Sequence, residues 1–112
     1  MKHISRTGLL LIFVDLFSAE NLKPVKQITL LKQELDSFKD DLTQKISWII
    51  CNKIDLIQSN ELDLIQNEIE NKLNISSNNI FFISAATGEG IEKLLKSLET
   101  AVIKNNISNL DL

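Results

Sequence analysis

Glycine is scarce in this chain. Gly8, Gly88 and Gly90 are the only three in 112 residues, and no G-x-x-x-x-G-K-[ST] loop can be written with them. A phosphate cradle of clustered backbone N–H groups is therefore excluded from these residues. Cys51 is the single cysteine, so no internal disulfide can form, and a reducing, cytoplasmic location is expected. Tyrosine is absent, aromatic residues make up 5%, no basic run occurs and the net charge is −3. Such a profile argues against nucleic-acid binding by this segment alone. No apolar run approaches the roughly 20 residues that a membrane span needs. The apolar stretch at 9–14 also lacks the cleavage site and basic flank of a signal peptide. His3 is the lone histidine, without an acid or nucleophile pattern around it. No metal-ligand cluster and no Ser/His/Asp arrangement is visible.

The composition is otherwise that of an ordinary globular protein, 44% hydrophobic and 24% charged, at a length suited to one domain or part of one. A chain of this size buries roughly two-thirds of its unfolded surface on folding. Short apolar runs alternate with helical patterns. Residues 9–14, apolar on both faces and ending at Asp15, suit a strand in a parallel sheet covered on both sides. Pro24 suits the first turn of a helix, and Val25, Ile28, Leu31, Leu35 and Phe38 then recur at three- and four-residue spacing. Residues 40–45 form the return loop. A second strand is expected over 46–51, with Trp48 packed in the core and Cys51 a buried strand residue.

The next helix is expected to open at Ser59 as N-cap, with Leu62, Ile65, Ile69 and Leu73 as its buried stripe. Glu61, Asp63, Glu68 and Glu70 then form a solvated face. A third strand follows over 80–83. The last helix opens near Gly90, with Ile91, Leu94, Leu95, Leu98 and Val102 facing inward. The Asn- and Ser-rich tail at 105–112 is expected to fray. Three strand–helix units imply an α/β fold in three layers, a parallel sheet of three strands with three helices. Two right-handed crossovers in one direction put the first two helices on one face and leave the other to the last.

The chemistry lies in two loops. Asn52-Lys53-Ile54-Asp55 follows the second strand directly, and Ser84-Ala85-Ala86-Thr87-Gly88-Glu89-Gly90 follows the third. In open parallel sheets ligands sit beyond the carboxyl ends of the strands, where both loops and Asp15 fall. An NKxD loop after one buried strand and an SAxxGxG loop after the next resemble the guanine-recognition half of a P-loop GTPase domain. His3-Ile4-Ser5-Arg6-Thr7 ahead of an LLxxFVD-type strand narrows the resemblance to the Obg family of GTPases, over about residues 3–104.

The resemblance implies GTP or GDP as ligand and Asn52, Lys53, Asp55, Ser84, Ala85 and Ala86 as the guanine-binding residues. Guanine presents two donors side by side, N1–H and the N2 amine, and one carboxylate accepts both in charge-assisted bonds. Asp55 is suited to that role. Adenine would leave the carboxylate unpaired, and sites built on specific hydrogen bonds reject such ligands by large factors. Asn52 is suited to guanine N7 and to the neighbouring loop. The aliphatic stem of Lys53 suits the face of the base. Ser84 is placed to brace Asp55, and the backbone N–H of Ala85 or Ala86 to meet O6. Gly88 and Gly90 let the loop turn.

The family also implies Mg²⁺, slow GTP hydrolysis and a role in ribosome assembly or stress signalling. These residues supply no phosphate loop, no assignable switch threonine, no D-x-x-G motif and no metal ligand, so hydrolysis by this chain alone is not expected. A nucleoside of about 20 heavy atoms, at about 0.3 kcal/mol each, caps the base pocket near tens of micromolar. In a whole GTPase domain the strand at 9–14 is internal. Alone it is an apolar edge that calls for the N-terminal half of the domain or for a second copy. One alternative is an inactive remnant. Another is a receiver-like α/β interaction domain with Asp15 as phosphoacceptor and Ser84 beside it, which would also want an acidic pair near the first strand.

Overall fold

Branched and aromatic residues fill the three apolar runs, and each run forms a strand. The computed structural model describes residues 2–4, 9–35 and 46–110, with the side chains of 9–35 and 48–101. Among the described residues there are four strands: β1 (Lys2–Ile4), β2 (Leu9–Asp15), β3 (Ile46–Asn52) and β4 (Ile80–Ile83). Three helices accompany them: α1 (Pro24–Leu35), α2 (Ser59–Leu73) and α3 (Ile91–Leu110). The sheet order is β1-β2-β3-β4. β2, β3 and β4 are parallel, in register from Leu9↔Ile46 to Asp15↔Asn52 and from Ile49↔Ile80 to Asn52↔Ile83. This is the α/β fold expected, with three parallel strands and three helices.

Strand side chains alternate between faces, and here both faces are covered. Leu10, Ile12, Val14, Ile49, Cys51 and Ile80 pack with Ile28 and Leu35 of α1 and Ile69 of α2. Leu9, Leu11, Ile50, Phe81 and Ile83 pack on the opposite side with Leu94 of α3. Trp48 joins that second cluster, its ring centroid 4.8 Å from that of Phe81 at an interplanar angle of 40°. α1 and α2 thus share one face, and α3 takes the other. Burial pushes the Cys51 thiol up to about 12, because a thiolate there would lose its hydration.

Four features depart from the sequence reading. β1 adds a short antiparallel strand, pairing Lys2, His3 and Ile4 with Leu11, Leu10 and Leu9. Among the described residues, β1 covers the outer edge of β2 over Leu9–Leu11. β2 and β3 each run one residue past the apolar core, to Asp15 and Asn52. Ser59 is the first residue of α2 rather than its cap. Gln58 takes the cap position in an extended conformation, and its carbonyl accepts from the Glu61 and Leu62 N–H groups.

Leu95 is exposed rather than inward-facing. α3 meets the sheet through Ile91, Leu94, Leu98 and Ala101, and Leu95 lies about 100° around the helix from Leu94. Phe38, the loop at 40–45 and the side chain of Val102 lie outside the described residues. α3 carries residues 105–110 of the tail expected to fray. No helix among the described residues is long and apolar enough to cross a membrane.

The packing sets a contrast within α2. Ile69→Ala, at a position with no exposed surface, is expected to cost about 2–5 kcal/mol. Leu64→Ala, 66% exposed on the same helix, is expected to change stability by no more than about 0.5 kcal/mol. Urea unfolding of the two variants measures both, and equal losses would refute this face assignment.

Candidate functional site

The parallel register brings Asp15, Asn52 and Ile83 level at the carboxyl edge of the sheet. Three loops leave from there. After β3 the chain turns at Lys53, whose φ of 81° and ψ of 33° are left-handed. That turn opens a short 3-10 helix over Ile54–Leu56. Ile54 is buried and anchors the turn, and Asp55 is exposed next to it. Apolar Ile54 thus fixes the backbone from which Asp55 projects.

After β4 the chain closes tightly on Ser84, the only buried polar residue among those described. Ser84 Oγ donates to Asp55 Oδ1 at 2.9 Å, across 29 positions of sequence. The same oxygen accepts the Thr87 N–H at 3.1 Å. The Ser84 carbonyl accepts the Gly88 N–H at 2.7 Å, and the Ser84 N–H donates to the Glu89 carbonyl at 2.9 Å. Gly88 and Gly90 hold positive φ angles of 88° and 79°, where L side chains are strained. A Cβ at Gly90 would also collide with the Phe82 carbonyl oxygen.

Asn52 ties the two loops together. Its Oδ1 accepts the Lys53 N–H at 2.8 Å and the Ala85 N–H at 3.0 Å. Its carbonyl accepts the Leu16 N–H at 3.1 Å, which ties in the loop after β2. Lys53 Nζ reaches Asp15 Oδ2 at 2.9 Å. Asp15 Oδ1 accepts the Phe17 N–H at 2.9 Å, closing a turn. The hydrogen bond from Lys53 holds the Asp15 carboxyl below the usual carboxylate range, against a smaller opposing effect of burial.

Asn52, Lys53, Asp55, Ser84 and Ala85 therefore share one crevice, and Ala86 lies exposed beside Ala85. The Ala85 amide is already engaged by Asn52, whereas the Ala86 N–H and Asp55 Oδ2 make no hydrogen bond among the described residues. Sequence reasoning had left both amides open for O6. Gln27, described below, carried no motif and was missed. Asp15 and Ser84, paired in the receiver-like reading, bond instead to Lys53 and Asp55 respectively. A cleft of about 620 Å³ opens along the outer edge of β4, but its lining includes none of residues 52–55 or 84–86. Among the described residues no group of three or more His, Cys, Asp or Glu could hold a metal ion. The residues of this crevice therefore offer no such ligand set for the Mg²⁺ that the family resemblance implies.

No family model matches the chain. The chain is similar to the GTPase Obg of Elusimicrobium minutum (strain Pei191), 33% identical over 112 residues that cover 98% of this chain and 23% of that protein. It thus spans less than a quarter of the relative's length. The similarity supports an Obg-like GTPase region, and three parallel strands with three helices are consistent with part of a GTPase domain.

Two variants test how the Ser84 loop is held. Ser84→Ala removes a buried hydroxyl with two partners and is expected to cost about 1–3 kcal/mol. Gly90→Ala is expected to cost at least about 1–3 kcal/mol through backbone strain. Denaturant midpoints give both values, and a neutral Gly90→Ala would contradict the loop geometry.

Proposed function

We propose that this chain is the guanine-recognition half of an Obg-type GTPase domain, binding GTP and GDP through the base. The observation that carries this reading is the Ser84–Asp55 hydrogen bond, which joins the NKxD loop to the SAxxGxG loop. A carboxylate offers about four lone-pair sites, so Asp55 keeps acceptors for guanine N1–H and the N2 amine while bonded to Ser84. Asn52 has its Oδ1 engaged, which leaves its amide NH₂ to donate to N7. The Ala86 N–H is assigned to O6, with Ala85 shaping the same turn. The stem of Lys53 lies against the base.

Hydrolysis by this chain alone is not part of the proposal. Phosphoryl transfer needs a phosphate cradle, its lysine and a metal-binding hydroxyl, and these residues contain no G-x-x-x-x-G-K-[ST] sequence. A role in ribosome assembly rests on the Obg resemblance alone, and a cytoplasmic location rests on that resemblance and on the single cysteine. The phosphate-holding half is the partner proposed for the sheet edge. Beyond Leu11, β2 has no neighbour on its outer side among the described residues, and Phe13 in that stretch is 43% exposed. An added strand would pair the backbone groups left free before Asp15, whose own N–H and carbonyl are held by Gln27, and cover apolar surface.

Titration with GDP and ADP tests the base assignment. The chain is expected to prefer GDP, and Asp55→Ala to weaken GDP binding roughly ten- to a hundredfold, the worth of hydrogen bonds to a charged group. Equal affinity for GDP and ADP would refute the reading. Adding a fragment that bears a phosphate loop is expected to tighten GDP binding. Pairing of two copies through β2, seen as dimers by ultracentrifugation that GDP and the fragment leave intact, would instead assign the edge to self-association.

A further inference from the structure

Gln27, on the first turns of α1, grips the backbone of Asp15. Its Oε1 accepts the Asp15 N–H at 3.0 Å, and its Nε2 donates to the Asp15 carbonyl at 2.7 Å and to the Leu22 carbonyl at 2.9 Å. One side-chain amide thus satisfies both main-chain groups of the last β2 residue. With its backbone held, Asp15 commits one carboxylate oxygen to Phe17 and the other to Lys53, 38 positions away. Lys53 and Asp15 are each 41% exposed, and exposed ion pairs contribute little to stability. Stability therefore does not explain why a helix side chain, a strand end and a left-handed lysine are linked in series.

Position does explain it. Asp55 is drawn toward the β4 loop by Ser84, and Lys53 toward the β2 loop by Asp15. Two neighbours on one turn are thereby held on opposite sides of the crevice. A long, flexible lysine stem loses much rotamer entropy when it is ordered, so a stem already fixed is a better wall than a free one.

We propose that Asp15, clamped by Gln27, is a positioning residue of the base pocket that holds the stem of Lys53 as one wall. The inference rests on the guanine reading above. It assigns to Asp15 and Gln27 a part in nucleotide affinity without contact with the nucleotide.

The test is a set of GMP and AMP titrations of the 112-residue chain, followed by NMR, on wild type, Asp15→Asn, Lys53→Met, the double variant and Gln27→Ala. Asp15→Asn keeps an oxygen for the Phe17 N–H and removes the charge that holds Lys53. It is expected to weaken GMP binding roughly two- to tenfold, the cost of ordering one long side chain. In the Lys53→Met background the same change is expected to have no further effect, because the charge it would release is already gone. Gln27→Ala is expected to weaken GMP binding in the same direction.

A second readout needs no nucleotide. Lys53→Met is expected to raise the titration midpoint of the Asp15 carboxyl. An unmoved midpoint would overturn the ion pair itself. Unchanged GMP affinity in Asp15→Asn, or full additivity with Lys53→Met, would overturn the positioning role while GMP preference over AMP left the guanine reading standing. Loss of the effect through unfolding is recognised from circular dichroism of Asp15→Asn, and Gln27→Ala then decides. No preference for GMP over AMP in wild type would remove both.

Discussion

A hydroxyl with no exposed surface governs the crevice. Ser84 is sealed from solvent at the end of β4, so its Oγ needs a protein partner. Asp55 Oδ1 accepts its proton, and the Thr87 N–H fills one of its lone pairs. Swinging Asp55 away would leave that buried donor unpaired, a loss comparable to a whole side-chain substitution. The interior thus enforces the direction of an exposed carboxylate. Asn52 works in the same way on the neighbouring strand, accepting from an amide on each loop. Two polar side chains at the sheet edge therefore do what a longer loop would leave undetermined.

The arrangement depends on β3 lying between β2 and β4. A central strand has neighbours on both sides, so a turn at its end reaches two other loops at once. Lys53 points to one and Asp55 to the other, and buried Ile54 between them holds the turn down. The same residues on an edge strand would meet one loop only. Pairing through Asp15↔Asn52 and Asn52↔Ile83 sets the three loop origins side by side. A one-residue slip would also exchange each strand's side chains between the α1–α2 face and the α3 face, where they no longer match the helices they pack on. Core packing on α1, α2 and α3 therefore protects the crevice geometry as well as the fold.

Much of this was legible in the order of residues. Runs such as Leu9-Leu10-Leu11-Ile12 and Ile80-Phe81-Phe82-Ile83 are apolar at every position, which signals strands covered on both faces, and strand–helix alternation then fixed their parallel sense. Other features were not legible because they depend on which atoms meet. Lys2-His3-Ile4 is too short to show a period, and only its pairing with Leu9–Leu11 makes it a strand. Leu95 has the spacing of a buried residue and misses the sheet by its angle around the helix. The motif residues named a crevice, but the engagement of the Ala85 amide by Asn52 required coordinates. Gln27 is one polar residue among several in α1, and nothing in its neighbours marks it as the partner of a residue 12 positions back.

Lys53 gives the last step. A left-handed residue with a side chain carries a conformational cost of order 1–3 kcal/mol that glycine would avoid. Gly88 and Gly90 take that relaxed solution at the other loop. Glycine at position 53 would relieve the turn just as well, so backbone geometry alone does not account for a lysine there. Among the described residues the Lys53 side chain has one direct partner, Asp15, a half-exposed carboxylate that contributes little stability. Strain without matching stabilisation is what the pocket-wall role proposed for Lys53 would account for. Here it keeps a four-carbon stem and a charge at the rim of the crevice, next to the carboxylate that Ser84 holds in place.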